Sequence, residues 1–366
     1  MIRRASLCAA LIGVFLVSTH SAEMKAEAGV EFDVLSQPAV QSKLASTSLI
    51  YALRKFGNRY FATGIQGHII FSDDGGKTWT QASVPVRSSL LGIDFPTPEQ
   101  GWAVGHEGVI LHTADGGKSW VKQYDGIRYA QEGLAYYQKL AEQDPENELF
   151  PVLVDEMQLA IEQGADKPFF KIKCQSAKRC NAVGAYGIAV VTYDGGETWT
   201  HAMHHNDNEN FKHMFDYAPL PSPGRYFIAG EAGLLLIADI NIKDAKRVQS
   251  VPWEGSFFAS AASADDAIIM GGLRGRMFRT ADEGDSWTVI EKPQTSSIVA
   301  VIRLPDDRLI AAGAAGEILI STDNGFSFSS VEVPPLGPLS AVASGPDDTL
   351  LVAGLNGIKT VALPRK

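Results

Sequence analysis

A four-residue mark, Gly-x-x-Gly, recurs along the chain with starts at Gly64, Gly105, Gly184, Gly230, Gly272, Gly313 and Gly354. The successive spacings are 41, 79, 46, 42, 41 and 41 residues. A period near 42, built from short apolar runs and glycine turns, is that of a four-stranded propeller blade. Such a blade cannot bury its sheet faces alone and must stack on its neighbours. Seven marks predict an all-β, seven-bladed β-propeller. The 79-residue step is one period plus an insertion, which falls between blades 2 and 3. A length of 366 residues would otherwise suggest two domains. The period assigns it to one ring over 23–366 with a single insertion at 125–168.

A second pattern follows five of these marks: Ser/Thr-x-Asp-x-Gly-x-Ser/Thr-aromatic. Its aspartates are Asp74, Asp115, Asp194, Asp282 and Asp323, and its aromatics are Trp79, Trp120, Trp199, Trp287 and Phe328. Each copy is expected to be a self-capped turn. The carboxylate accepts backbone N–H groups, glycine supplies the positive φ, and the aromatic plugs the layer beneath. Blade 4 has Ala238-Asp239-Ile240-Asn241 in place of the box, and blade 7 has none. The last blade also runs out of chain one strand early. Val30–Leu35 is the expected fourth strand, clasping the termini together and removing an open sheet edge.

The first 22 residues read as a secretory signal: Arg3 and Arg4, an apolar stretch from Leu7 to Val17, then small residues to Ala22. The protein is therefore expected in the periplasm, without a membrane span after the leader. In an oxidising compartment Cys174 and Cys180, the cysteines left after export, are expected to form a disulfide. The formal charge of −10 argues against nucleic acid and anionic membrane surfaces as partners.

The Asp boxes resemble the BNR/Asp-box repeat. The fuller form in blade 2, Gly101-Trp102-Ala103-Val104-Gly105-His106-Glu107-Gly108-Val109-Ile110-Leu111-His112-Thr113-Ala114-Asp115-Gly116-Gly117, is similar to the photosystem II assembly and stability factor family of seven-bladed propellers. The resemblance covers roughly residues 45–365 apart from the insertion. It implies a non-enzymatic factor that holds or assembles a membrane protein complex from its non-cytoplasmic side, with no cofactor. Photosynthetic members serve a photosystem II core protein. The simple secretory leader and acidic insertion of this chain do not favour that client. The resemblance to non-photosynthetic members implies an accessory of an inner-membrane transporter, the RND type included.

Propeller strand order puts the Asp boxes on one face and the Gly-x-x-Gly turns and blade crossovers on the other. The aspartates are expected to be structural. The opposite face gathers the candidate partner-binding residues: His106 and Glu107 in blade 2, Tyr186 in blade 3, Glu231 in blade 4, Arg274 and Arg276 with Arg279 in blade 5, and Asn356 in blade 7. Three arginines in six residues suit a carboxylate or an acidic loop, unless one is tied to Asp265 or Asp266. The stretch from His201 to His213 is expected to be a polar binding loop. Its His204, His205 and His213 are weak metal candidates, since their spacing matches no metal signature.

The insertion predicts a helical hairpin. Tyr129–Gln143 aligns Leu134, Tyr137 and Leu140; Glu148–Gln163 aligns Leu149, Leu153, Met157, Ala160 and Ile161. Residues 125–168 hold ten acidic and three basic side chains, so the segment reads as an arm that packs on the rim and offers an acidic face to a partner.

Two other functions stand as alternatives. A sialidase-like glycoside hydrolase needs an arginine triad spread over the ring, an acid and a Tyr–Glu nucleophile pair. Here the arginines cluster in blade 5, and the expected Phe/Tyr-Arg-Ile-Pro start is missing. There is no Gly-x-Ser-x-Gly elbow, and His106-Glu107 is followed by Ile110 where a zinc motif needs histidine. The other alternative is a periplasmic binder of metal or a small molecule.

Overall fold

The computed structural model describes residues 33–293 and 295–364. The leader, the residues up to 32 and the first part of the expected clasp lie outside the described residues. Seven antiparallel sheets follow in chain order, spanning 50–81, 90–124, 169–201, 214–247, 257–289, 298–331 and 339–362. In each, strands adjacent in sequence are adjacent in the sheet. Six sheets have four strands and the last has three. The first strands of neighbouring blades pack on one another and surround a central channel. Core clusters form between blades, as a propeller requires.

The Asp boxes are saturated by their own turns. Asp115 Oδ1 accepts the Lys118 and Ser119 N–H groups, each at 3.0 Å, and the Thr113 hydroxyl at 2.8 Å. Its Oδ2 accepts the Ser119 hydroxyl at 2.6 Å. Hydrogen bonds from the turn hold Asp74 and Asp282 at a pKa of about 2. At Asp115 they outweigh the opposing effect of burial and give about 2 as well. The box glycine also seals the ring. A Cβ on Gly117 would lie 2.4 Å from Phe61 of the preceding blade, and one on Gly76 would lie 2.7 Å from Leu351 of the last blade. In blade 4 Asp239 substitutes in part, accepting the Asn241 and Lys243 N–H groups.

In six of the seven Gly-x-x-Gly marks the first glycine has a different origin, a backbone carbonyl facing it, whereas Gly313 faces the Glu317 and Thr295 side chains. Gly105 is extended, and its α-carbon faces the Ser89 carbonyl, where a Cβ would come within 2.1 Å. Gly184 faces Pro168 O and Gly354 faces Pro338 O in the same way. These contacts bring the start of the first strand against the turn that closes the second and third. One residue further on, every first strand carries a bulge: the register shifts at Tyr51, Leu91, Phe170, Phe215, Phe258, Val299 and Ser340.

Ring closure differs from expectation. Residues 33–35 carry no strand, and Leu35 is buried between blades 1 and 2 with Phe61, Val86, Leu90 and Trp120. Val34 O accepts Arg87 N–H at 2.8 Å. No fourth strand joins the last blade among the described residues. Blades 1 and 7 instead meet through Ile50, Leu53, Tyr60, Leu351 and Ala353. The Tyr60 hydroxyl donates to Ser344 O at 2.9 Å, and the Ser340 hydroxyl to Ile50 O at 2.5 Å.

The insertion forms α1 (Gly126–Gln143) and α2 (Leu149–Gln163). Asp125 caps α1 by accepting Arg128 N–H at 3.0 Å. Tyr129, Tyr137, Phe150, Leu153, Met157 and Ala160 are buried; Leu134, Leu140 and Leu149 are half-buried at the cluster's margin. Ile161, placed in the buried stripe by spacing, is 44% exposed, because it falls at the edge of α2 beyond the reach of the propeller rim. Neither helix, nor any other among the described residues, is long and apolar enough to cross a membrane.

Candidate functional site

The seven bulges lie at the same register, beside the Gly-x-x-Gly turns, and so encircle the channel mouth on that face. Six of the seven bulge residues are apolar, and all seven are half-buried. Blades 3, 4 and 5 supply phenylalanines in a continuous arc. Phe170 and Phe215 have ring centroids 5.4 Å apart, and Phe215 and Phe258 are 5.3 Å apart. A bulge turns a side chain out of the sheet's alternation, so these rings are presented at the mouth while Phe169 and Phe257 beside them are fully buried. Sequence alternation alone hides this, since the extra residue looks like one more core position.

Beside the arc, His213 links two candidate residues from neighbouring blades. Its Nδ1 accepts the Tyr186 N–H at 2.8 Å, which places the ring proton on Nε2. Glu231 accepts the His213 backbone N–H at 3.3 Å, and its carboxylate is 3.9 Å from Nε2. The Tyr186 ring is 53% exposed, edge-on to His213 at 4.8 Å. Tyr186 also has a φ of 52°, a left-handed backbone that tyrosine seldom adopts.

Below the mouth the channel has a volume of 430 Å³. Its wall holds Arg54, Lys55, Lys171, Lys173 and Arg303 against Asp94 and Asp216, a cationic passage through an acidic protein. Lys171 pairs with Asp216 at 3.1 Å, and Ser260 donates to the same carboxylate at 2.8 Å. Burial in the channel wall, aided by Arg54 and opposed by Asp216, lowers the Lys171 pKa. Asp94 accepts Cys174 N–H at 2.8 Å and lies 3.5 Å from Lys173. The Cys174–Cys180 disulfide cross-links the first two strands of blade 3 behind this wall.

The arginines separate. Arg274 and Arg276 are exposed at the outer rim between blades 5 and 6, around a surface cavity that also takes in Lys292. Arg279 lies at the other end of its strand, on the Asp-box face. It is 7% exposed, pairs with Asp265 at 2.5 Å, donates to Asn324 O and lies 4.0 Å over the Phe326 ring. It fixes blade 5 to blade 6 and is not part of a three-arginine clamp. His106 and Glu107 sit under the start of α1, whose Gly126 packs against Glu107 O. The exposed Asn356 donates to Leu336 O at 3.2 Å, on the far side of the ring.

The histidine-rich stretch divides likewise. His201 ends a strand and is 2% exposed, with Tyr129, Tyr136 and Tyr137 around it at 4.6, 5.8 and 5.6 Å. His204 packs on Tyr136, Tyr137 and Phe150, and its ring lies tilted against His205 with centroids 3.8 Å apart. Burial, with its histidine neighbour, holds His201 at a pKa of about 3 and His204 at about 4. These rings seat the helical insertion and are not part of the expected polar binding loop. His213 belongs to the separate cluster beside Tyr186. Among the described residues no three His, Cys, Asp or Glu side chains are placed to hold a metal ion.

The family model of the photosynthesis system II assembly factor YCF48 matches residues 76–146, and that of the BNR/Asp-box repeat matches residues 70–81. No curated protein matches the chain. Among solved structures, the fold is similar to YCF48 bound to D1 peptide, with 18% identity, a TM-score of 0.61 and coverage of 90% of this chain and 100% of that one. It is similar to YCF48 from Cyanidioschyzon merolae, at 14% identity, TM-score 0.60 and 87% and 96% coverage. Virginiamycin B lyase from Staphylococcus aureus shares the ring as well, at 11% identity, TM-score 0.65 and 90% and 99% coverage. An assembly factor and a lyase on one architecture show that these likenesses speak for the fold, and that function must be argued from the site. By its repeat and its ring of blades, the chain is a seven-bladed β-propeller carrying Asp-box turns, similar in fold to the YCF48 structures.

Proposed function

We propose that this protein is an exported, non-enzymatic propeller that binds a segment of a membrane protein complex at the channel mouth and thereby assembles or stabilises that complex. The observation that carries the proposal is the Phe170–Phe215–Phe258 arc. Three adjacent blades turn aromatic rings outward at one register, on the face that also bears the crossovers and the insertion. Aromatic rings held by rigid strands supply contact area at little entropic cost. The cationic channel behind them favours an acidic or carboxylate-bearing segment. The YCF48 ring with a D1 peptide bound is a precedent for a propeller of this form holding a peptide. Self-saturated Asp boxes fit a structural and not a catalytic role for the repeat.

The leader at 1–22 supports a periplasmic location, and an inner-membrane transporter, the RND type included, is the client class we assign. The test is co-purification of the tagged protein from detergent-solubilised membranes, with captured proteins identified by mass spectrometry. Wild type is expected to retain a membrane transporter. The variant Phe170→Ser/Phe215→Ser/Phe258→Ser should retain at least tenfold less while melting within a few degrees of wild type. Capture of soluble proteins alone, or equal capture by the folded variant, contradicts the proposal.

A further inference from the structure

Helix α2 has two faces. Phe150, Leu153, Met157 and Ala160 bury one against the propeller. On the opposite side Glu148, at the helix N-cap, then Val152, Asp155, Leu159 and Glu162 are all exposed. Their spacings run four, three, four, three, the step of a coiled-coil seam. At 3.6 residues per turn the five fall within an arc of about 80° and run about 21 Å along the helix. Apolar and acidic residues alternate along it. Val152 is 44% exposed and Leu159 is 42% exposed. Among the described residues none of the three carboxylates makes a hydrogen bond or ion pair, whereas Glu156, one position away from the seam, pairs with Lys167.

A solvated helix face of this length has no need of a branched apolar residue at each second seam position. Single exposed apolar residues are ordinary; two of them one heptad apart, flanked at heptad spacing by three unpaired carboxylates, form a pattern. Such a row complements a helix whose own seam alternates apolar residues with lysine or arginine. The apolar pairs would interdigitate as knobs into holes, and the cations would meet Glu148, Asp155 and Glu162. We propose that α2 docks a basic amphipathic helix of a partner protein along the Glu148–Val152–Asp155–Leu159–Glu162 seam. This gives the exported binder a second contact, on residues other than those of the channel mouth. It rests on the partner-binding function only in requiring that a partner exists. The acidic balance of the insertion then has a specific use, since it selects the partner helix by charge as well as by shape.

The test uses two synthetic three-heptad peptides, both with leucine at the first seam position. One carries lysine and the other glutamate at the second. Affinity for the full-length protein is measured by calorimetry at physiological ionic strength, with circular dichroism as the check on folding. Wild type should bind the lysine peptide and not the glutamate peptide. Val152→Asp/Leu159→Asp should lose at least tenfold in affinity, although it makes the surface more acidic. Glu148→Lys/Asp155→Lys/Glu162→Lys should exchange the preference, binding the glutamate peptide at least tenfold better than the lysine peptide. The channel-mouth variant Phe170→Ser/Phe215→Ser/Phe258→Ser should bind the lysine peptide as wild type does, so that failure of one site is separable from failure of the other. Absence of wild-type binding overturns the proposal. So does unchanged affinity in Val152→Asp/Leu159→Asp, which would reveal attraction to acidic surface alone, or a preference that charge reversal does not exchange.

Discussion

Asp115 receives two backbone N–H groups and two hydroxyls, and Gly105 leaves room for the Ser89 carbonyl. Both residues serve the chain that surrounds them, which is why the repeat predicts structure so well and function so poorly. Replacing Asp115 by alanine frees those donors and should cost about 1 kcal/mol in chemical denaturation, since the turn is open to water. The pH dependence has a definite sign. The folded pKa values of Asp74, Asp115 and Asp282 are depressed to about 2. Their contribution is therefore complete above the unfolded carboxylate range near pH 4 and is lost as the pH falls towards 2. Two glycines make a sharper contrast. Gly105→Ala must displace a carbonyl lying 2.1 Å from the new Cβ. It should cost about 3 kcal/mol or more, as an overpacked site does. Gly57 has a φ of 57° with nothing within 4 Å, so Gly57→Ala should cost only about 1 kcal/mol. Equal losses in urea denaturation would contradict this.

At the scale of elements, the insertion was legible where helical spacing governs and illegible where tertiary packing does. Leu153, Met157 and Ala160 follow the expected stripe into the core. Ile161 matches the same spacing but lies outward, because sequence cannot show how far the propeller rim extends. The neighbouring Asn- and His-rich stretch reads as a polar binding loop, yet His201 is among the most buried polar residues described. The tyrosines of α1, with Tyr124 of blade 2, account for that, and their register against blade 3 is a long-range fact. His201 packs among Tyr129, Tyr136 and Tyr137, with Tyr124 Oη 3.5 Å from its Nε2. Above pH 6.5 both His201 and His204 are neutral whether the hairpin is seated or unfolded. As the pH falls below that value the unfolded segment takes up protons that the seated rings, at about 3 and about 4, refuse. Stability of the seated hairpin is therefore lost from pH 6.5 downward, by on the order of 4 kcal/mol for His201 at the acid limit. Hydrogen-exchange protection factors in α1 and α2, taken against the intrinsic exchange rate at each pH, should fall between pH 6.5 and 4 in wild type, and His201→Phe should flatten that dependence. An unchanged profile in His201→Phe would place the acid sensitivity elsewhere.

For the molecule as a whole, the ring and its seven blades follow from the period, whereas the closure and the channel mouth do not. The expected clasp assumed that the N-terminal segment pairs with the last blade. Leu35 instead fills a slot between blades 1 and 2, and apolar packing across Ile50, Tyr60 and Leu351 joins the ends of the ring. Leu351→Ala removes that contact from both Gly76 and the blade 1 core. It should cost about 2–5 kcal/mol in urea denaturation, more than an equivalent change on the solvent side of the same blade. The bulges are hidden in the sequence because one added residue per inner strand leaves the 42-residue period intact while changing which side chain reaches the mouth. The proposed function rests on that displacement. It is tested most directly by placing a photo-cross-linking residue in turn at Tyr51, Leu91, Phe170, Phe215, Phe258, Val299 and Ser340 in intact cells. Cross-links to one membrane protein should concentrate at 170, 215 and 258 and fall away at 299 and 340. Cross-links spread evenly around the ring, or their absence from all seven positions, would contradict the assignment of the channel mouth as the binding site.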